Sequence, residues 1–344
     1  MAIVTLRLPE VKAIAEKRPG KCPQCGGVLL QRWGSVRKPV IDPQIKEVLL
    51  YRYRCTRCWK TFRHYPQGIT MADQTDRMRF LCALIWKIGA SLRLTTGLLG
   101  IWKPSVCHMT VWRDIQWAAM RRPAKQKVRV VGLDGFYTKI KGKEKGVMVM
   151  LDMGDGQPVA LAEVAEDNPE KLLAWFMPLA QQYEVEVIVT DDLFSYSLVA
   201  HDLELKRQIC RFHALRWMTV TLKECETGLG EVWQDTMDEV RRIIRNLPDN
   251  GPHLLHLLWK RIVPPDGERT PEGDAVARLR LLVLKLGENW QQYALFLAEQ
   301  GVPTTNNATE RAIGRWRNRS KTTRGFKSLN GLFAAFRICN GLYP

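Results

Sequence analysis

The stretch KVRVVGLDGFYTKIKGKEKGVMVMLDMGDG, Lys127–Gly156, decides the fold of the centre of the chain. It contains two runs of apolar and β-branched residues, Val128–Leu133 and Val147–Leu151, and a third such run, Pro158–Val164, follows it. Runs of this kind between turn residues predict a meander of three strands. Asp134 comes where the first predicted strand ends. An Asp-Gly pair there is either ordinary turn chemistry or the position of a catalytic acid.

A second predicted strand also ends in acids. After a predicted helix, Asn168–Tyr183, the run Val185–Thr190 leads directly into Asp191-Asp192. If the two strands are neighbours in one sheet, Asp134 and Asp191 meet at the same edge. Two carboxylates held together are unfavourable unless a cation lies between them, and their oxygens suit Mg²⁺ or Mn²⁺.

A third acid lies far downstream, in the segment TTNNATERAIG that begins at Thr304. Glu310 falls in the first turn of the helix predicted there. A capping box with Asn307 would explain a glutamate at this position, but it would not explain the basic run that follows. Residues 315–327 carry six cations in thirteen residues, as a phosphodiester substrate would require.

Length and charge limit the class of protein. The chain has 344 residues, enough for two or three domains, and a net charge of +17, which favours a nucleic-acid partner. It contains no apolar run of 18 residues and no signal-peptide pattern, so no membrane partner is expected. The odd count of nine cysteines, some in Cys-x-x-Cys pairs, indicates a reducing compartment.

Four of these cysteines predict a zinc ribbon. Two Cys-x-x-Cys knuckles each bring two thiolates to one tight turn, and together they complete a tetrahedral site for structural Zn²⁺. The ligands are Cys22, Cys25, Cys55 and Cys58. A redox dithiol or two chance pairs is the alternative. The many basic residues around the knuckles indicate that the ribbon faces nucleic acid.

Three short helices are predicted next, over Gln74–Ile88, Ser91–Leu99 and Ser105–Arg121. A compact trio with a basic last helix is typical of a helix-turn-helix domain, although any small bundle has the same pattern. If the three helices form a helix-turn-helix domain, five residues could approach a DNA groove. They are Ser105, His108, Thr110, Arg113 and Gln116.

Four motifs together resemble prokaryotic insertion-sequence transposases of the DDE type: GLDGFY, VTDDLFSY, CRFH and NNATERAIGRWRNRSKTTRGFKS. The Asn-Asn-x-x-Glu-Arg block is the most specific of them, and the resemblance covers roughly residues 128–336. The resemblance implies an α/β fold with an RNase H-like core. It also implies that the catalytic and Mg²⁺-binding triad of this core is Asp134, Asp191 and Glu310. Asp192 remains the alternative second acid, because related proteins often carry a single aspartate there.

The resemblance also implies a domain order. We expect a zinc ribbon over 1–68, a helix-turn-helix-like domain over 69–124, the first part of the core over 125–214, an all-α insertion over 215–301 and the last part of the core over 302–344. Cys210 and His213 are either half of a metal site or a packing or DNA-positioning element near the active site. The expected DNA contacts are Arg113, Arg311, Arg315, Arg317, Arg319, Lys321, Arg324 and Lys327.

The function that follows is DNA transposition. Two divalent ions would support cleavage at the element's terminal inverted repeats and joining of the 3′-hydroxyl ends to double-stranded target DNA. A homo-oligomer is expected because two ends must be joined, in the nucleoid-associated cytoplasm of a prokaryote. The alternatives are a catalytically silent DNA-binding protein derived from a transposase, and an RNase H-like nuclease without strand transfer.

Overall fold

The computed structural model describes residues 7–102, 106–122, 125–264, 270–323 and 325–343. The chain is of mixed α/β class and divides into two compact units, the first formed by Met1–Ala124 with Gly314–Pro344 and the second by Lys125–Ile313. Two of the candidate DNA contacts, Ser105 and Arg324, lie outside the described residues.

The second unit is built on a five-stranded sheet with the order β6-β5-β4-β7-β8. The strands are β4 Val130–Ile140, β5 Lys143–Asp152, β6 Pro158–Ala162, β7 Val187–Thr190 and β8 Lys206–Ile209. The first three form the predicted antiparallel meander, and β7 and β8 extend the sheet in parallel with β4. The two strands that were expected to carry acids are therefore neighbours.

The first strand of the meander is longer than the sequence indicates. β4 does not end at Leu133 but continues through Asp134 to Ile140, with a continuous ladder to β5. The expectation that Asp134 stands at a strand end, or begins a turn, was therefore wrong. The strand continues because its backbone groups pair with β5 even where its side chains become polar. Backbone pairing does not require apolar side chains, so the pattern of apolar residues does not reveal this part of the strand.

Helices cover the sheet of the second unit. One face packs on α4 Pro169–Tyr183 and α5 Phe194–Asp202, and their fully buried Phe176 and Tyr196 share a core with Leu133 and Met150. Valines of β4 and β7 form a separate cluster with Val302. The central strands are thus apolar on both sides, which explains their unbroken valine runs.

The secondary-structure elements of the described residues from Arg211 to Ala298 are all helical. These are α6 Arg211–Glu226, a 3₁₀ turn Glu231–Trp233, α7 Gln234–Asn246, α8 Gly251–Arg261, α9 Pro271–Glu288 and α10 Trp290–Ala298. They enclose a core of their own, rich in leucine and isoleucine. In the parts of the chain that the structure describes, no helix is long and apolar enough to span a membrane.

The first unit contains a three-stranded antiparallel sheet and a helical cluster. The strands are β1 Leu30–Pro39, β2 Glu47–Cys55 and β3 Thr61–His64, and the last of these was not expected. The helices are α1 Asp76–Lys87, α2 Leu92–Leu99, α3 His108–Met120 and, from the end of the chain, α12 Leu329–Asn340. α3 contacts the other three helices of this unit.

Candidate active site

The parallel pairing of β4 with β7 brings two of the predicted acids to one level of the sheet. Val131 lies opposite Ile188, and Gly132 opposite Val189. Asp134 and Asp191 each follow the last of these pairs by two residues. Because parallel strands rise by nearly the same distance per residue, both acids stand at the same height, at the level where β7 ends and β4 continues.

The acids at this edge repel one another. Burial raises the pKa of Asp134 to about 7, and the negative charges of Glu166, Asp191 and Glu310 contribute to the increase. Burial likewise raises the pKa of Asp191. Burial and mutual repulsion disfavour the ionised form of such a group of carboxylates, whereas a bound divalent cation would favour it. Oxygen donors of this type fit Mg²⁺ or Mn²⁺.

Glu310 reaches the same edge from α11, Asn307–Ser320. Asn306, just before the helix, is buried, and its side-chain amide donates a 2.9 Å hydrogen bond to the carbonyl of Leu133, next to Asp134. Its side-chain oxygen accepts a 2.7 Å hydrogen bond from the Thr309 hydroxyl. The first Asn of the Asn-Asn-x-x-Glu block therefore fixes the start of α11 to β4.

A glycine makes this close approach feasible. A Cβ atom built at Gly132 would lie 2.6 Å from the side-chain oxygen of Asn306, inside contact distance. Glycine in a strand interior often marks a place where another segment comes close to the backbone. Gly132 thus allows α11, with Glu310 in its first turn, to lie against β4.

The Cys-x-x-His motif contacts the same helix. The buried Sγ of Cys210 accepts a 3.3 Å hydrogen bond from the backbone N–H of Asn306. His213, three residues on, has its Nε2 3.8 Å from Oε1 of Glu310. Donor atoms of Cys210, His213 and Glu310 lie within 4.8 Å of one another. Oε1 of Glu310 and Nδ1 of His213 are both buried and make no hydrogen bond to the described residues.

The two adjacent aspartates point to different partners. Asp191 acts electrostatically on Asp134 and interacts with His213, whereas Asp192 forms a 2.6 Å ion pair with Lys285 of α9. The buried Arg207 of β8 donates a 2.7 Å hydrogen bond to the carbonyl of Asp191 and so holds the turn in place. The geometry therefore favours Asp191 over Asp192 at the edge of the sheet.

One acid of this cluster was missed from the sequence. Glu166 lies between β6 and α4, and its charge is the second largest contribution, after burial, to the raised pKa of Asp134. The Tyr196 hydroxyl donates a 3.2 Å hydrogen bond to its carboxylate. A Cβ at Gly135 would lie only 2.7 Å from that carboxylate. The available signal was Gly135, which serves close approach rather than a turn.

The four predicted zinc ligands converge in the first unit. Cys22 Sγ lies 3.8 Å from Cys58 Sγ, and Cys25 Sγ lies 3.6 Å from Cys55 Sγ. Four thiolates at about 2.3 Å from a tetrahedral Zn²⁺ would be about 3.8 Å apart, so the spacing fits the ion. Hydrogen bonds from the backbone of Cys58 and, against the opposing effect of burial, of Arg57 lower the pKa of Cys55 to about 7. Against a backbone hydrogen bond from Gly27, burial and the neighbouring thiols raise the pKa of Cys25 to about 11, so the support for zinc is the spacing of the sulfur atoms.

Most of the described basic candidates are exposed, and one is not. The exposed side chains are those of Arg113, Arg311, Arg315, Arg317, Lys321 and Lys327. Arg319 is buried and donates hydrogen bonds to the backbone carbonyls of Trp86, at 2.9 Å, and Ala90, at 2.8 Å. Its guanidinium also stacks on the Trp86 ring. The buried Arg319 therefore links α11 to the end of α1 and is not placed to contact DNA, contrary to the sequence prediction.

These features define a class of site, and a family model matches part of the chain. Carboxylates grouped at the edge of a sheet are typical of proteins that bind divalent cations. Residues 165–333, just under half of the chain, match the family described as Transposase IS66 family. This match confirms the resemblance to insertion-sequence transposases and indicates a transposase role. It includes Asp191 and Glu310, and Asp134 lies upstream of it.

Among solved structures, the chain is similar to the Drosophila P element transposase strand transfer complex. The identity is 11% and the TM-score 0.40, over 79% of this chain and 92% of that chain. A search of curated proteins found no match.

Proposed function

We propose that the chain is a DDE transposase that cleaves DNA at the ends of its insertion sequence and joins the 3′-hydroxyl ends to target DNA. The observation that supports this proposal is the arrangement of Asp134, Asp191 and Glu310. These acids come from three separate parts of the sequence and meet at one edge of a sheet, and the part of the chain that contains two of them matches a transposase family.

In this proposal the five-stranded sheet is an RNase H-like core. Its strand order, with the meander on one side and two parallel strands on the other, supports that assignment. The helices from α6 to α10 are then an insertion between the second and third acids. The four-cysteine segment is a zinc ribbon, and α1 to α3 are a helix-turn-helix-like domain that binds double-stranded DNA with Arg113.

The acids act by holding divalent cations. Asp134, Asp191 and Glu310 would bind Mg²⁺ or Mn²⁺, and the bound ions would supply charge for in-line attack on phosphorus. Asn306 and Gly132 set the position of Glu310 against β4. Arg207 fixes the backbone that carries Asp191. His213 lies beside Glu310 and, when neutral, offers a nitrogen that can position a water or the carboxylate.

The exposed cations on α11 and after it would bind the DNA backbone. Arg311, Arg315, Arg317 and Lys321 are available for this purpose. A homo-oligomer is part of the proposal, because two transposon ends must be joined in one complex. The alternative function is a silent DNA-binding descendant of a transposase, and the presence of all three acids argues against it.

Strand transfer tests the proposal. Labelled DNA that carries the ends of the element is incubated with the protein and Mg²⁺ or Mn²⁺, and the wild type is compared with Glu310→Gln. We expect joined product from the wild type and none from the variant. DNA binding without cleavage by both proteins would favour the silent DNA-binding protein. Equal activity of both would reject Glu310 as the third acid.

A further inference from the structure

The two cysteine knuckles have matching backbones. The N–H of Gly26 donates a 3.0 Å hydrogen bond to the carbonyl of Cys22, and the N–H of Trp59 donates one of 3.0 Å to the carbonyl of Cys55. In both knuckles the amide two residues after the first cysteine also donates to that cysteine's Sγ, at 3.4 Å. Gly26 and Trp59 therefore occupy equivalent positions.

The equivalent positions carry very different residues. Both have a left-handed backbone, with φ of 70° at Gly26 and 58° at Trp59. Glycine adopts this conformation freely, whereas a bulky side chain strains it, because its Cβ approaches the backbone. The first knuckle has the residue that suits the geometry, and the second has one of the least suitable.

Burial does not explain the tryptophan. Trp59 remains 60% exposed, and Trp33, in the bulge of β1, remains 50% exposed. The guanidinium of Arg54 lies between them, 4.6 Å from the ring of Trp33 and 4.7 Å from that of Trp59. A cation between two rings holds both rings in place while each keeps exposed surface.

The surroundings of this cluster are strongly basic. Residues 1–68 contain fourteen lysines and arginines against four acids. Arg52, Arg57 and Lys60 are close to Arg54 in sequence, and their side chains are exposed. A polyanion is the partner that such a charge favours, and flat exposed rings within it favour one with accessible base faces.

We propose that Trp33, Arg54 and Trp59 form a binding surface for unpaired nucleotides of DNA. The indoles would stack on bases, and the neighbouring arginines and Lys60 would contact phosphates. In duplex DNA the base faces are already covered by stacking, so this surface should prefer a single strand or an opened end. This inference extends the proposed DNA binding to a particular surface and strand state, and it requires no cleavage.

Substitution of Trp59 by glycine tests the surface without damaging the fold. The first knuckle has glycine at the equivalent position, so Trp59→Gly should retain zinc and its thermal midpoint. We expect its affinity for a fluorescein-labelled 20-nucleotide single strand to fall about tenfold, within the range for loss of one stacked base. Its affinity for the matching duplex should change less than twofold. Trp59→Phe should recover most of the lost affinity.

A matched control and a direct mapping complete the experiment. Met71→Gly removes an apolar side chain that is 83% exposed outside the three-stranded sheet, and it should leave single-strand affinity unchanged. Photocrosslinking with 5-iododeoxyuridine should join the full-length protein to the DNA at Trp59 or Trp33. Unchanged single-strand affinity in Trp59→Gly, an equal loss on duplex, or crosslinks confined to other regions would overturn the proposal. A failed strand-transfer assay would leave this test intact.

Discussion

The chain has two candidate metal centres, and they are built in opposite ways. The four-cysteine site is formed within 37 residues of sequence, by two local knuckles whose sulfur atoms already have the spacing of a tetrahedral zinc site. The acid site collects Asp134, Asp191 and Glu310 across 177 residues, and its charges repel one another. The difference fits the roles proposed above, a closed structural site for the cysteines and an open reactive site for the acids.

The largest effect is expected at the four-cysteine site. Cys55→Ser should release the zinc ion and unfold the three-stranded sheet, because structural zinc contributes about 10–16 kcal/mol of binding free energy in small domains. Metal content per chain and hydrogen exchange of β1–β3 would measure this. Cys107→Ser, a change at an exposed cysteine outside the knuckles, is the control and should retain the metal. A folded, zinc-loaded Cys55→Ser would contradict the structural assignment.

The acid site should respond in the opposite direction. Asp134→Asn removes a charge that burial and neighbouring acids disfavour. It should abolish strand transfer, because a proposed metal ligand is lost, yet stabilise the protein by a few kcal/mol at pH 8. Urea unfolding of zinc-loaded protein without added Mg²⁺ or Mn²⁺ measures the second effect. A variant that is less stable than the wild type under these conditions would show that Asp134 has a structural role.

The same charge predicts a dependence on pH. The folded-state pKa of Asp134, about 7, is above its ordinary value of 3.8, so the folded protein binds this proton more tightly than the unfolded protein. Its contribution to stability is complete below about pH 4 and is lost as pH rises through about 7. Stabilisation by added Mn²⁺ should therefore be larger at pH 7.5 than at pH 5.5. Thermal midpoints of wild type and Asp134→Asn at both values would check this.

A smaller effect is expected where Glu166 lies over the strand. Gly135→Ala places a methyl group 2.7 Å from the Glu166 carboxylate. It should therefore lower the free energy of unfolding by about 1–3 kcal/mol and reduce strand transfer. Gly314→Ala, at a helical position with open space around its Cβ, is the control and should stabilise by up to about 1 kcal/mol. If Glu166→Ala does not restore stability to Gly135→Ala, the strain has another source.

The smallest effect is expected at the ion pair of Asp192. Lys285→Met removes the partner of Asp192 and also the ammonium group that lies 4.3 Å from the centre of the Trp217 ring. Because the lysine is 40% exposed, the pair should contribute less than about 1 kcal/mol, and activity should change less than twofold. Chemical denaturation and strand transfer would measure both. A large loss of activity would bring Asp192 into the reactive site.

Local patterns in the sequence predicted much of both sites. The cluster of four cysteines follows from the spacing of two knuckles, and two apolar runs that lead into acids marked the strands that the structure pairs as β4 and β7. The family resemblance supplied Glu310. Each of these signals lies within a short segment of the chain, so it can be recognised before the fold is known.

Contacts between distant segments could not be predicted in the same way. Glu166 belongs to the acid cluster only because β5 and β6 bring it over Gly135. Arg319 has the sequence context of a DNA contact, but its buried guanidinium donates hydrogen bonds to backbone carbonyl groups at and just after the end of α1. The length of β4 depends on backbone pairing with β5 beyond its apolar run.

Strand transfer by two neighbouring variants, Asp191→Asn and Asp192→Asn, tests the central claim most directly. The two substitutions are chemically identical and one residue apart, so general effects on folding should be similar. We predict loss of joined DNA product with Asp191→Asn and activity within a few-fold of wild type with Asp192→Asn. Activity retained in Asp191→Asn and lost in Asp192→Asn would contradict the site described by Asp134, Asp191 and Glu310.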